Sequence, residues 1–438
     1  MDEAEQYARY VASGKNGKLY IGIGSARRDL VVYDPATQIK KSLLAGGDRT
    51  AGWVKVEEGD DGEIYASFVD GRKYRVEDER LVPVRSIPEK ALRLQNGGLV
   101  RRVFNGTESG HLVVSNGISR LERQVDFRYR GAGAEIFMVG AGPGGKVYGS
   151  TAQTLEVFSY DPEDGASIHL GGMPGGEVYS MLPFGKRLYM CYYGGAVMTL
   201  YDPGNPRWHF GRGTNDNPVS YGPLGPGHLR PRAMVQGPDN KIIIGSLPDY
   251  GQHTGGLAIW GPQENRLIAN IRPVVTNQSI LSLAYEPVSG LIFGGTGNYG
   301  GGTTPLAQEA VVFAFDPERR VKLYDLPLVS GAQAYRAMAA ARGLVFAVSD
   351  KISVFDPRAR KVVAELKLPD GRPLDVSLGV HSNGKIYGLT SKVLFEVDPE
   401  KLSMVELGRP PDGIDRGFAL VNSGVYFARG SRLWRYRW

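Results

Sequence analysis

Short apolar runs broken by glycine-bearing turns recur along the whole chain. Between Gly227 and Pro262, the run MVQG leads into the turn Gly237-Pro238-Asp239-Asn240, then KIIIGSL, then GGLAIW; RLIANI follows. Each run is too short for a helix and ends in a turn signal, which is the pattern of strands. Four strands in succession predict an antiparallel meander, the unit of a propeller blade.

The unit repeats. Its second strand reads KLYIGIGS from Lys18, EIYASFV from Glu63, HLVVSN from His111, KVYGST from Lys146 and RLYMCYY from Arg187. The series continues with KIIIGSL from Lys241, LIFGGTG from Leu291, LVFAVSD from Leu344, KIYGLTS from Lys385 and VYFARGS from Val425. The third strand commonly ends in Asp-Pro, at Asp34, Asp161, Asp202, Asp316, Asp356 and Asp398; copies in adjacent units are roughly 40 residues apart, and Asp34 precedes Asp161 by about three units. Proline cannot donate to a ladder and aspartate closes a turn with its side chain, so the dipeptide stops the strand. The predicted fold is all-β, a single many-bladed β-propeller of four-stranded antiparallel blades over residues 1–438. Ten repeats are counted, at about 44 residues each; seven or eight blades are the alternatives. The units from Trp53 to Arg130 lack Asp-Pro and are the least regular. The last unit runs through three strands to Trp438.

Composition agrees with many short strands and tight turns: 60 Gly, 27 Pro and 23 Tyr, with 42% apolar residues and no charge block. The net charge of +6 is diffuse. It lacks a basic run interleaved with aromatics, so no nucleic-acid partner is expected; the excess fits either a basic face that attracts an anionic ligand or a solvated surface. The one cysteine, Cys191, lies in LYMCYY and is expected to be buried; it allows no disulfide within the chain and no cysteine metal site. No apolar run reaches membrane-spanning length, so no membrane partner is expected. The start, MDEAEQYARYV, is acidic and lacks the apolar core of a secretory signal. Localisation is not legible: secreted or periplasmic if a leader preceded this start, otherwise cytoplasmic. Oligomeric state is not legible.

Candidate chemistry narrows quickly. There is no HExxH, cysteine cluster or EF-hand loop, so neither metal nor cofactor is expected. The glycine-rich stretches 140–145 and 300–302 open no helix and read as blade turns rather than phosphate loops. What remains is a polar cluster: His228, Arg230, Arg232, Asp249, Tyr250 and His253, with Tyr299 in the next unit and Tyr193 in the preceding one. In a propeller the loop entering the first strand and the loop leaving the second open on one face. HLRPR, DYGQH and NYGGG should therefore crowd together. Two loops, 211–227 and 298–308, are longer than the architecture needs, a frequent mark of function. Arginine grips a carboxylate through two parallel hydrogen bonds, and a neighbouring histidine or tyrosine can move a proton. We read His228, Arg230 and Tyr250 as catalytic candidates, and Arg232, His253, Tyr299 and Tyr193 as substrate-binding candidates. The bland alternative is a channel rim whose polar groups are satisfied by the backbone. His111, His169, His209 and His381 read as structural.

The pattern RPRAMVQGPDNKIIIGSLPDYG, then NQSILSLAYEP, then GGTGNYGGGTTP resembles propeller proteins of plant-polysaccharide use, over roughly residues 175–400. Among them are the L-rhamnose-α-1,4-D-glucuronate lyases, which act on gum arabic and arabinogalactan side chains and are seven-bladed. The resemblance implies metal-independent β-elimination on an acidic oligosaccharide or polysaccharide: the proton at C5 of the uronate is removed and the bond at C4 breaks. Chemistry then casts Arg230 as the group that neutralises the carboxylate, with Arg232 second, and His228 or Tyr250 as base. A non-catalytic propeller that binds glycan or protein is the alternative. A hydrolase would need paired carboxylates, for which Asp249 and Glu177 are the nominees.

Overall fold

In a computed structural model, the protein is described over residues 7–438 except 89–91, 96–97, 106–108, 117–121 and 129–132. Among the described residues all regular structure is strand, apart from three short 3-10 turns. All ten second-strand patterns form strands. The Asp-Pro signal works as its chemistry dictates. Asp161 Oδ1 accepts from the amide of Glu163 at 2.9 Å, Asp356 Oδ1 from that of Arg358 at 2.8 Å, and Asp398 Oδ1 from that of Glu400 at 2.9 Å.

The chain divides into two compact units, Met1–Gly133 and Ala134–Trp438, where the repeat pattern predicts one. In the first unit, the meander that starts at Ala8–Ser13 and the one that starts at Gly52–Glu58 form one eight-stranded sheet, joined where Gly24 pairs with Trp53. Tyr20, Leu30, Val54 and Ile64 share its core. A separate four-stranded sheet contains Ser109–Asn116.

The second unit holds seven sheets, which we number as blades 1 to 7. Their inner strands are Ile136–Ala141, Val178–Phe184, Arg230–Gln236, Ser279–Glu286, Ala337–Ala341, Pro373–Val380 and Arg416–Val421. Blades 1 to 6 have four strands and blade 7 has three. Each inner strand packs beside the next, and the seventh packs beside the first. The ring thus closes with seven blades rather than ten. The first three of the ten repeats fall in the other unit.

The core follows the same geometry. Strands such as Ile242–Leu247 are buried along their whole length because both faces are covered. Ile243 and Ile259 of blade 3 meet Leu283, Ile292 and Phe313 of blade 4. Val139 and Val147 of blade 1 meet Ala419 and Tyr426 of blade 7. Burying each such side chain is worth about 1.5–3 kcal/mol. Cys191 is buried in the wedge between blades 2 and 3. The segment 211–227, expected as a long loop, is partly regular: Val219–Pro223 is the fourth strand of blade 2, paired to Val197–Tyr201.

Candidate ligand channel

The inner strands carry a repeated irregularity. In blade 3 the register slips between Pro231 and Ala233, which leaves Arg232 out of the ladder. The same slip falls at Phe137 in blade 1, Tyr179 in blade 2 and Leu281 in blade 4. In blade 6 it is wider: residues between Pro373 and Leu378 leave the register, among them Asp375. A bulge bends its strand and re-aims a side chain. Here four of these side chains, Phe137, Tyr179, Arg232 and Asp375, line a cavity of about 320 Å³ between the inner strands of blades 1, 2, 3, 6 and 7.

These residues form a belt. The guanidinium carbon of Arg416 lies 5.2 Å from the Phe137 ring centre. Phe137 meets Tyr179 edge to face at 4.8 Å. The guanidinium of Arg232 sits 5.1 Å from the Tyr179 ring centre. Arg232 Nη1 donates to Asp375 Oδ2 at 3.0 Å, and Arg336 Nη1 donates to Asp375 Oδ1 at 2.8 Å. One carboxylate therefore serves two guanidiniums.

Beside the belt, Arg230 lies against two tyrosines. Its Nη2 donates to the Tyr250 hydroxyl at 2.8 Å. Its guanidinium carbon is 5.1 Å from the Tyr250 ring centre and 5.5 Å from that of Tyr193. The two hydroxyls are 2.9 Å apart. Tyr193 directly follows the second strand of blade 2, and Tyr250 stands three residues beyond that of blade 3, so neighbouring blades build the clamp from corresponding loops. Pro231 keeps Arg230 extended at the strand entrance. Burial pushes the Tyr193 phenol above its ordinary range, reinforced by its hydrogen bond with Tyr250. Burial also raises Tyr179 and Tyr299.

The loops after Leu247 and Gly297 meet as expected. Tyr250 bridges to Gly301, whose amide donates to the Gln252 carbonyl at 2.8 Å. A Cβ on Gly301 would stand 2.2 Å from the Asp249 carbonyl oxygen, so this approach requires glycine. His253 Nδ1 lies 3.0 Å from Thr303 Oγ1 and ties the two loops together. Tyr299, half-buried, interacts with Arg336 at the belt. Asp249 Oδ2 accepts from the Gly227 amide at 3.1 Å.

His228 does not join the site. Its ring is fully buried, with Nδ1 2.8 Å from Ser246 Oγ and Nε2 3.2 Å from Asn270 Oδ1. The Asn270 amide nitrogen donates to the carbonyls of Leu224 and Pro226. Its oxygen therefore accepts, which places the imidazole proton on Nε2 and makes Nδ1 an acceptor for Ser246. Burial lowers its pKa to about 4. Both nitrogens are taken and the ring is out of solvent, so His228 is a structural fastener for the strand entrance and not a base.

Five belt residues escaped the sequence reading: Phe137, Tyr179, Arg336, Asp375 and Arg416. Three of them stand at or just before corresponding inner-strand entrances, in EIFMVG, EVYSML and AYRAMA. Stacking the repeats on their inner strands instead of their second strands would have set them in one column with Arg232.

No protein-family model matches the chain, and no curated protein matches it by sequence. Among solved structures it is similar to a catalytically inactive virginiamycin B lyase from Staphylococcus aureus with quinupristin. That likeness has a TM-score of 0.51 and 8% identity, over 68% of this chain and 93% of the lyase. It is also similar to the extracellular domain of a protein from B. thetaiotaomicron described as a one-component system, BT4673, at TM-score 0.49 and 11% identity. That match covers 98% of this chain, which spans 58% of the BT4673 domain's length. At such identities the likeness extends to the fold alone: a β-propeller.

Proposed function

We propose that the mouth formed by blades 2 and 3 binds a uronate of an acidic plant glycan and cleaves it by β-elimination. One observation carries this reading: Arg230 is held between Tyr193 and Tyr250, with a hydrogen bond to a hydroxyl that itself pairs with the other tyrosine. Arg230 grips the carboxylate and offsets the charge that builds on it as C5 loses its proton. Tyr250, which accepts from Arg230 and lies 2.9 Å from the Tyr193 hydroxyl, acts as the phenolate that takes the C5 proton. Tyr193, whose phenol burial holds protonated, gives its proton to the leaving oxygen at C4. The C5–H electron pair becomes the C4–C5 double bond, and the C4–O bond breaks. Tyr250 then holds a proton and Tyr193 lacks one; their 2.9 Å contact lets the proton return.

The test is ultraviolet absorbance of the unsaturated uronate during incubation with gum arabic. Arg230→Ala should lower turnover by about 2–4 kcal/mol while keeping its melting temperature, and Arg230→Lys should rescue poorly because a point charge lacks the two-pronged fork. Tyr250→Phe should abolish product and keep binding. Parent-like turnover in Arg230→Ala would remove the assignment. The alternative is a propeller that binds glycan without cleaving it, in which Arg230 serves as a carboxylate grip alone. It would give binding with no absorbance change.

A further inference from the structure

We infer that the 320 Å³ cavity is a second anionic subsite, which takes the carboxylate of another acidic sugar unit in the same glycan. The inference rests on the reading of the Arg230 clamp as a uronate site and extends it to the substrate class: a glycan with closely spaced acidic units rather than an isolated one.

The charge around the cavity is unequally matched. Asp375 is shared by Arg232 and Arg336. Asp415 is engaged by Arg429 and by the Gly430 amide at 2.8 Å. Arg416 reaches Glu135 at 2.8 Å. Two donors are left over. Arg232 Nε is buried and has no hydrogen-bond partner. Arg372 lines the cavity, and its guanidinium makes no hydrogen bond or ion pair among the described residues. Arg372 is exposed to solvent there, so an acceptor entering the cavity would meet a guanidinium with no protein partner to give up. A carboxylate fits best because its two oxygens match the planar guanidinium fork.

The remaining wall suits a sugar ring. Phe137, Phe418 and Met181 also line the cavity and add apolar surface to it. Such a surface with a few fixed polar groups is the ordinary make-up of a small-ligand site, and the volume lies at the lower end of that range. Tyr179 connects the two sites. It lines the cavity, lies under Arg232, and its ring centre is 6.2 Å from that of Tyr193 in the clamp. One glycan can therefore pass from cavity to clamp across a single tyrosine.

Calorimetric titration of the full chain with glucuronate tests this without relying on turnover. The parent chain should show two sites. Arg372→Ala should weaken the cavity site by roughly 10- to 100-fold and leave the clamp site. Arg230→Ala should do the reverse, and glucose should bind at neither. If the parent chain shows one site or none, or if Arg372→Ala and Arg372→Glu both bind as the parent does, the second subsite does not exist. Failure of the elimination reading looks different: two binding sites persist, and gum arabic yields no unsaturated product.

Discussion

At the scale of single residues, the contrast between His228 and Arg230 shows what sequence can place. Both sit at the entrance of the same strand, and from spacing alone both belong to the site. Arg230 is held by Tyr193 and Tyr250, which also flank strand ends and so could be nominated in advance. His228 is held by Ser246 and Asn270, strand residues whose polar character gives no hint that they point at a histidine. That burial has a measurable consequence. His228 in the folded chain has a pKa of about 4, below the ordinary 6.5. Between those values the unfolded chain binds a proton that the folded chain refuses. The stabilisation is therefore fully present above pH 6.5 and declines as pH falls towards 4, with about 3 kcal/mol at stake. The melting temperature of the parent should drop from pH 7 to pH 4.5 by more than that of His228→Gln. Equal drops would show that another group governs the acid limb.

At the scale of elements, blades 1, 4 and 6 share a device invisible to a count of apolar residues. A glycine in the second strand faces a phenylalanine in the third: Gly149 opposite Phe158, Gly294 opposite Phe313, Gly388 opposite Phe395. In each the aromatic ring lies over the glycine, and a Cβ on Gly294 would stand 2.1 Å from Phe313 Cζ. The Phe313 ring has nowhere to go, since it is fully buried among Ile243, Ile259 and Ile292. Gly294→Ala should therefore destabilise by about 1–3 kcal/mol, read as an earlier urea midpoint. Adding Phe313→Leu should recover part of the loss, because the two changes share one space. Simple additivity would mean that the ring moves aside freely. The sequence shows these glycines as strand punctuation; only the pairing register shows that they make room for an aromatic ring. The same limit hid the inner-strand bulges. Phe137, Tyr179 and Arg232 look like ordinary alternating strand residues until the slip in the ladder separates them from their neighbours.

At the scale of the whole molecule, the blade was legible and the ring was not. Asp-Pro stops, glycine turns and apolar alternation act within about 40 residues, and they are the same whether a meander joins a ring or stacks elsewhere. Ring number is set by what fills each wedge, which is a property of facing blades. In residues 134–438 every wedge is filled. Blade 7 meets blade 1 through Ala419, Tyr426, Val139 and Val147, as blade 3 meets blade 4 through Ile243, Leu283 and Phe313. The N-terminal meanders bury their apolar faces on each other, with Tyr20, Leu30, Val54 and Ile64 in a common core. The blades of the second unit and the first two meanders of the first thus each have a packing partner, which is what a repeat needs to be stable. Every candidate site residue, from Tyr193 to Tyr299, and every belt residue belongs to the seven-bladed unit. The fragment 134–438 expressed alone should therefore unfold in one cooperative transition and bind glucuronate with the affinity of the full chain. In the proposed reading Arg230, Arg232 and Arg372 meet an anion, so that affinity should fall as salt rises, for the fragment and the full chain alike. A fragment that aggregates, or folds but loses glucuronate binding, would mean that the ring depends on residues 1–133 for more than its own closed wedges supply.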